Sequence, residues 1–247
     1  MISTGVSSAL ILEDDADFSV GIRDIMEGVS NQMQDIFEVK NAEPYGISDP
    51  KNWDILIVGS CGENIADKES SPKAAKKIRV WVDPYAPESD RFSSYLPGAP
   101  SKRLRQLGLA KRAVCTQGYA VTREGAMRLL YNIGGPGHIL NQAFDLLLGE
   151  QLNNGVIKGF ITRPSIVAQW KMKDWRDTDI QVKTEDELER ARGGSGPEIV
   201  GSVREEMMNF LGNRNVWDEI EIEEEVEIEE EVEGGEGMKS ELPLGLK

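Results

Sequence analysis

Three consecutive carboxylates, Glu13-Asp14-Asp15, follow the apolar run Ser8-Ala9-Leu10-Ile11-Leu12. An apolar strand that ends in acids sets them at the carboxyl edge of a sheet, where open α/β sheets take their ligands. Alternation along an extended chain puts Glu13 and Asp15 on one side and Asp14 on the other. Two carboxylates on one side can grip a hard divalent cation, Mn²⁺ or Mg²⁺, through oxygen. Such an ion can neutralise a departing phosphate, which makes the block a candidate nucleotide-sugar or phosphoryl site. The plain alternative is that these acids open a helix, whose positive N-terminal end favours them.

Asp145 is the second candidate. It stands within Gln142-Ala143-Phe144-Asp145-Leu146-Leu147-Leu148, an otherwise apolar stretch. A carboxylate among buried residues must be paired or face a ligand; alternatively Asp145 lies with Gln142 and Gly149 on the wet stripe of a helix. Cys61 and Cys115 can pair as one disulfide in an oxidising compartment or remain buried thiols, and geometry decides between the two. His138 reads as a structural or exposed side chain, because a general base needs a defined partner. Trp170 and Trp175 flank Lys171-Met172-Lys173-Asp174; aromatics near a strand end can stack on sugars, and packing at the rim is the alternative.

The elements that must position these residues follow from periodicity. Ser8–Leu12 has strand length, and Phe18, Ile22, Ile25 and Met26 recur at helical spacing. Trp53–Gly59 reads as a buried strand that ends in the turn-forming Gly59-Ser60-Cys61-Gly62-Glu63. Residues 64–112, rich in Pro, Ser, Lys and Arg, read mostly as loop, long enough to cover a substrate. Ala113–Val121 reads as a third strand, and Thr122 caps a helix from Arg123 to about Tyr131. Asn141–Leu152 reads as a helix and Gly155–Ile161 as a fourth strand. Strands alternating with helices give an α/β layer fold with a parallel or mixed sheet.

The chain has 247 residues and a net charge of −15. Residues 218–247 hold 13 acids and 2 lysines, so they carry most of that charge. The rest is mildly acidic, with no basic face of the kind nucleic-acid binding needs. One histidine and two cysteines argue against His-based metal centres and four-cysteine zinc sites. There is no apolar run long enough for a membrane span, and no secretory signal is visible at Met1-Ile2-Ser3-Thr4-Gly5. The tail repeats Glu221-Ile222-Glu223-Glu224-Glu225-Val226 as Glu227-Ile228-Glu229-Glu230-Glu231-Val232. Close glutamates repel and offer little apolar surface, so residues 218–247 read as disordered; residues 1–182 read as globular and 183–217 as a connector with one helix.

Five blocks in this order resemble glycosyltransferase family 25, the lipopolysaccharide-biosynthesis and procollagen galactosyltransferase family, and most of all its fungal members. They are Ala9–Asp15, Trp53–Glu63, Cys115–Ala126, Phe144–Leu148 and Arg163–Trp170. The resemblance covers about residues 8–182. It implies a GT-A-like α/β sandwich and metal-assisted transfer of a hexose, galactose or glucose, from a UDP-sugar to a hydroxyl of a glycan or protein acceptor. It implies Glu13 and Asp15 as metal ligands, Asp14 beside the cofactor, Asp145 as the catalytic residue, a base or a metal-linked carboxylate, and Gln169 and Trp170 against substrate. It also implies a segment before the acidic block that these 247 residues lack, so that the fold is N-terminally incomplete with one sheet edge open. Ser60 stands where the fungal pattern has His, and Ala143-Phe144 where it has Pro-Ile. An inactive remnant or binding protein, with the acidic tail as its interaction segment, is the alternative. The family's eukaryotic members work in the endoplasmic reticulum or Golgi, whereas a chain without a signal stays cytosolic.

Overall fold

The computed structural model describes residues 1–39, 52–66, 72–135, 142–171 and 199–211. The chain divides into a unit Met1–Val216 and a unit Trp217–Lys247; only the first contains described residues. His138, Trp175 and the acidic repeat lie outside the described residues. Among the described residues no helix is long and apolar enough to cross a membrane.

The centre of the fold is β3 (Ile55–Gly59), whose five residues are all buried. Side chains alternate across a strand. Leu56 and Val58 therefore enter one core, and Ile55 and Ile57 the other. A strand covered on both faces needs a continuous apolar run, which Ile-Leu-Ile-Val supplies. The neighbouring β8 (Gly159–Arg163) runs parallel to β3 and divides its side chains the same way, Phe160 to the first core and Ile161 to the second. Fully burying one such side chain is worth roughly 1.5–3 kcal/mol.

Helices close both faces. On the first face lies α1 (Ile22–Ile36), where Ile25, Val29 and Met33 recur every four residues and are buried. On the second lie α3 (Arg123–Asn132) and α4 (Phe144–Asn153), which bury Leu129, Leu148 and Leu152. Thr122 caps α3 as the sequence predicts, its Oγ1 accepting the Gly125 N–H at 3.0 Å.

The sheet order is β1-β7-β3-β8-β6-β4, where β1 is Ser8–Leu12, β7 Gly118–Thr122, β6 Leu104–Val114 and β4 Gly62–Ile65; β5 (Arg79–Val82), which follows the short helix α2 (Pro72–Ala75), also pairs with β6. Only β3 and β8 are parallel, so the sheet is mixed. A separate two-stranded ribbon joins β2 (Ala16–Phe18) to β9 (Val167–Gln169). The fold is thus α/β, as expected.

Several local expectations are corrected. Phe18 belongs to β2 and the first helix begins only at Ile22, because Gly21 and the β2–β9 pairing intervene. The stretch 64–112 is not loop alone. It holds β5 and most of β6, where Leu104 and Leu107 are buried and Arg105 and Gln106 between them obscure the apolar signal. The single strand expected over Ala113–Val121 is the end of β6 and all of β7. The chain breaks at Cys115, whose φ of +65° lies in the left-handed region. The fourth strand begins at Gly159 rather than Gly155. The helix expected in the connector exists as α5 (Val203–Leu211).

Candidate functional site

The residues singled out from the sequence gather at one edge of the sheet. Strands β1, β3 and β8 all end there, and β7 begins there. The acids do not prolong β1. They form a turn in which the Ala16 N–H donates to the Glu13 carbonyl at 3.1 Å, so the two-residue alternation expected for Glu13 and Asp15 does not apply. Nor do they open a helix, since β2 follows directly.

Each acid has its own anchor. Thr116 Oγ1 donates to Glu13 Oε1 at 2.9 Å, and Gln169 Nε2 donates to Asp15 Oδ2 at 2.7 Å. The Asp14 side chain is exposed, and its carbonyl accepts from Arg204 Nη2 at 2.7 Å. The Trp170 N–H donates to the Asp15 carbonyl at 2.8 Å, so Gln169 and Trp170 both fasten the acidic turn to the end of β9. Asp145, in the first turn of α4, accepts the Cys115 N–H on Oδ2 and the Leu146 N–H on Oδ1, both at 2.8 Å. Cys115 and Thr116 are adjacent, so this two-residue segment links Asp145 to Glu13. Asp145 is thus paired with backbone donors rather than left on a wet stripe. Its observed bonds give it a positioning role.

Cys61 and Cys115 form a disulfide with Cα atoms 5.4 Å apart, tying the turn after β3 to the break after β6. Gln117 Nε2 approaches Cys61 Sγ at 2.8 Å. Ser165 Oγ both donates to the Ser60 carbonyl at 3.2 Å and accepts the Ser60 N–H at 3.3 Å. Ribbon β2–β9 crosses close over the sheet end: a Cβ on Gly59 would stand 2.7 Å from the Val167 carbonyl oxygen, and one on Gly118 3.1 Å from the Val167 side chain. Only glycine admits that approach without displacing β9.

Two buried acceptors at this edge have no donor among the described residues, Asp15 Oδ1 and Gln117 Oε1. They belong to one stretch of structure, since the Gln117 carbonyl accepts the Glu13 N–H at 3.1 Å. An unsatisfied buried acceptor costs about 1–3 kcal/mol, which a cation, a hydroxyl or a water would relieve. Beside them Tyr119 packs against Phe144 with ring centroids 6.1 Å apart. Burial, and then the negative charge of Glu13, push the Tyr119 hydroxyl above its ordinary pKa, so it remains protonated at neutral pH.

Among the described residues no three His, Cys, Asp or Glu side chains are grouped to hold a metal. Glu13 and Asp15 therefore do not form a closed protein metal site. An ion of the Mg²⁺ type needs only one or two protein carboxylates, with water and substrate phosphate completing its shell.

Sequence reasoning missed Asp17, which is 1 % exposed. Its Oδ1 accepts the backbone N–H groups of Phe18 and Arg204, and its Oδ2 accepts from Ser202 Oγ. Ser202 Oγ in turn caps α5 by accepting the Glu205 N–H at 3.0 Å. Asp17 thereby fastens residues 200–206 to the acidic turn. The fourth acid of Glu13-Asp14-Asp15-Ala16-Asp17 was visible, but its partner lies 185 residues away in sequence. Arg105 was also missed. It is 1 % exposed, pairs with Asp83, and donates to the Pro164 carbonyl in the turn that leads into β9. No family model, curated protein or solved structure matches the chain.

Proposed function

We propose that this edge is the catalytic site of a metal-assisted hexosyltransferase with a GT-A-like fold, which moves galactose or glucose from a UDP-sugar to a hydroxyl of a glycan or protein acceptor. The reading is supported by the five ordered sequence blocks, each of which supplies residues to one edge. The observation that carries it is the pair of buried, donorless oxygens, Asp15 Oδ1 and Gln117 Oε1, beside the exposed carboxylate of Glu13.

In this reading Glu13 and Asp15 would hold Mn²⁺ or Mg²⁺, which supplies positive charge to the departing diphosphate. Thr116 and Gln169 fix the two carboxylates before any ligand arrives, which lowers the ordering cost of binding. Tyr119, kept protonated, can donate a hydrogen bond without adding negative charge. The bond between the anomeric carbon and the phosphate oxygen breaks as that carbon bonds to the acceptor oxygen. The acceptor's proton passes to a carboxylate; Asp145 retains lone pairs beyond those its two backbone donors use. Trp170 offers an aromatic face for the acceptor.

The test is UDP release by the folded chain with UDP-galactose or UDP-glucose and Mn²⁺. The reading expects turnover that Asp15→Asn abolishes while leaving the fold intact. Absence of turnover by folded protein with either donor would instead support a second reading, a binding protein derived from a transferase. That second reading is favoured by the lack of any three grouped metal-ligating side chains among the described residues.

A further inference from the structure

Strand β1 closes one side of the sheet, with β7 as its strand partner among the described residues. The hydrogen bonds at its two ends fix which of its backbone groups face outward. The Ser7 carbonyl accepts the Arg123 N–H at 2.8 Å, and the Glu13 N–H donates to the Gln117 carbonyl at 3.1 Å. Bonded and non-bonded positions alternate along an antiparallel pair. Ser7, Ala9, Ile11 and Glu13 therefore turn their backbone groups to β7, and Ser8, Leu10 and Leu12 turn theirs to the open edge.

Such an edge is a template for another strand, and proteins usually blunt it with charge, proline or a bulge. Strand β1 has none of these. No charged side chain and no proline occurs in the first 12 residues, and the β1–β7 register is unbroken. Its apolar side chains are also uncovered: Leu10 is 55 %, Ile11 41 % and Leu12 40 % exposed. Leu10 stands opposite Ala120 of the first core, so Leu10 and Leu12 share the face that carries α1, and Ile11 lies on the other.

We propose that β1 pairs antiparallel with β1 of a second copy of this chain, about a two-fold axis at Leu10, giving a dimer with one continuous sheet. Register and charge name the occupant. With Leu10 opposite Leu10 of the second copy, Ser8 falls opposite Leu12 and Leu12 opposite Ser8. Every outward-facing residue of β1 then finds a bonding partner, whereas a shift of two residues strands one in each copy. Opposed side chains of an antiparallel pair share a face, so Leu10 and Leu12 of both copies cover one another. The same register keeps the acids of the two copies apart. Glu13 runs toward Ser7 of the second copy, where Arg123 is anchored by its N–H to the Ser7 carbonyl and by Nη2 to the Ile2 carbonyl at 3.4 Å. The pairing is isologous and uses β1 of both copies, so assembly stops at two. It stands whether or not the acidic edge transfers sugars.

Sedimentation equilibrium of the full chain tests the assembly, and amide exchange followed by NMR tests the register. A five-residue strand pair is small beside standard interfaces, so a monomer–dimer equilibrium with a Kd on the order of 10–100 µM is expected. Raising the concentration through that range should slow exchange at Ser8, Leu10 and Leu12. Ala9 and Ile11, already bonded to β7, should not change. Leu10→Lys sets two like charges against each other and should weaken the dimer at least about tenfold; its side chain is exposed, so the urea midpoint of the monomer should hold. Leu130→Lys, equally exposed on α3, should leave the dimer intact. The proposal is overturned by a chain that stays monomeric across the range, by growth beyond two copies, by a dimer that survives Leu10→Lys or is lost in Leu130→Lys, or by protection that rises alike at all five residues of β1.

Discussion

Removing the Cys61–Cys115 link should cost as much stability as the largest single contact at the candidate site. The two residues are 54 apart in sequence. In the chain-entropy treatment, closing a loop of that length removes about 14 cal/mol/K from the unfolded chain, or about 4 kcal/mol at 25 °C. The folded state adds a local consequence. Cys115 sits at φ +65° and donates its N–H to Asp145, so the link also holds the segment that carries Thr116 to Glu13. The perturbation is Cys61→Ala/Cys115→Ala, compared with the oxidised parent by urea unfolding. Alanine at 115 has a β-carbon as cysteine does, so the left-handed backbone adds no new strain. With a slope of about 3 kcal/mol per M, the midpoint should fall by about 1.3 M. A loss below about 1 kcal/mol would refute the reasoning, given the loop length. So would two titratable thiols in the unfolded, unreduced parent.

Gly59→Ala should cost about 1–3 kcal/mol by overpacking, because the new Cβ meets the Val167 carbonyl at 2.7 Å and β9 must shift; an unchanged urea midpoint would contradict this. Arg105→Met should cost about 3–5 kcal/mol by leaving the buried Asp83 carboxylate without its cation. Adding Asp83→Asn should recover part of that loss, and a double variant no more stable than the single one would count against the pairing. Absorbance at 295 nm should show Tyr119 ionising above the ordinary tyrosine range. Glu13→Gln should lower its midpoint only part of the way, since burial is the larger cause. Because the folded pKa is raised, this contribution to stability is present at neutral pH and lost as pH rises through that folded pKa. A midpoint unmoved by Glu13→Gln would show that the two groups do not interact.

The parts of the fold that were legible in the sequence are those set by local pattern. Ile55-Leu56-Ile57-Val58 announces a strand buried on both faces, and Thr122 announces a helix start through one hydroxyl. The parts that were not legible depend on distant partners. In β6 the apolar positions are interleaved with Arg105, Gln106, Lys111 and Arg112, and the burial of Arg105 makes sense only beside Asp83 and the Pro164 carbonyl. The break at Cys115 is invisible to periodicity, since the backbone turns there to meet α4 and the disulfide. The candidate site was legible as a set of residue types, and the structure brings Glu13, Asp15, Asp145 and Gln169 to one edge. Their anchors, Thr116 for Glu13 and Ser202 for Asp17, are tertiary and leave no local signature.

The central claim is that Glu13 and Asp15 form half of a metal site that a diphosphate completes. Competition for Mn²⁺, followed through the EPR signal of the unbound ion, tests it without any acceptor. The account predicts weak Mn²⁺ binding by the chain alone, much tighter binding when UDP is added, and loss of that enhancement in Asp15→Asn. Mn²⁺ binding that UDP leaves unchanged, or an enhancement that survives Asp15→Asn, would contradict it.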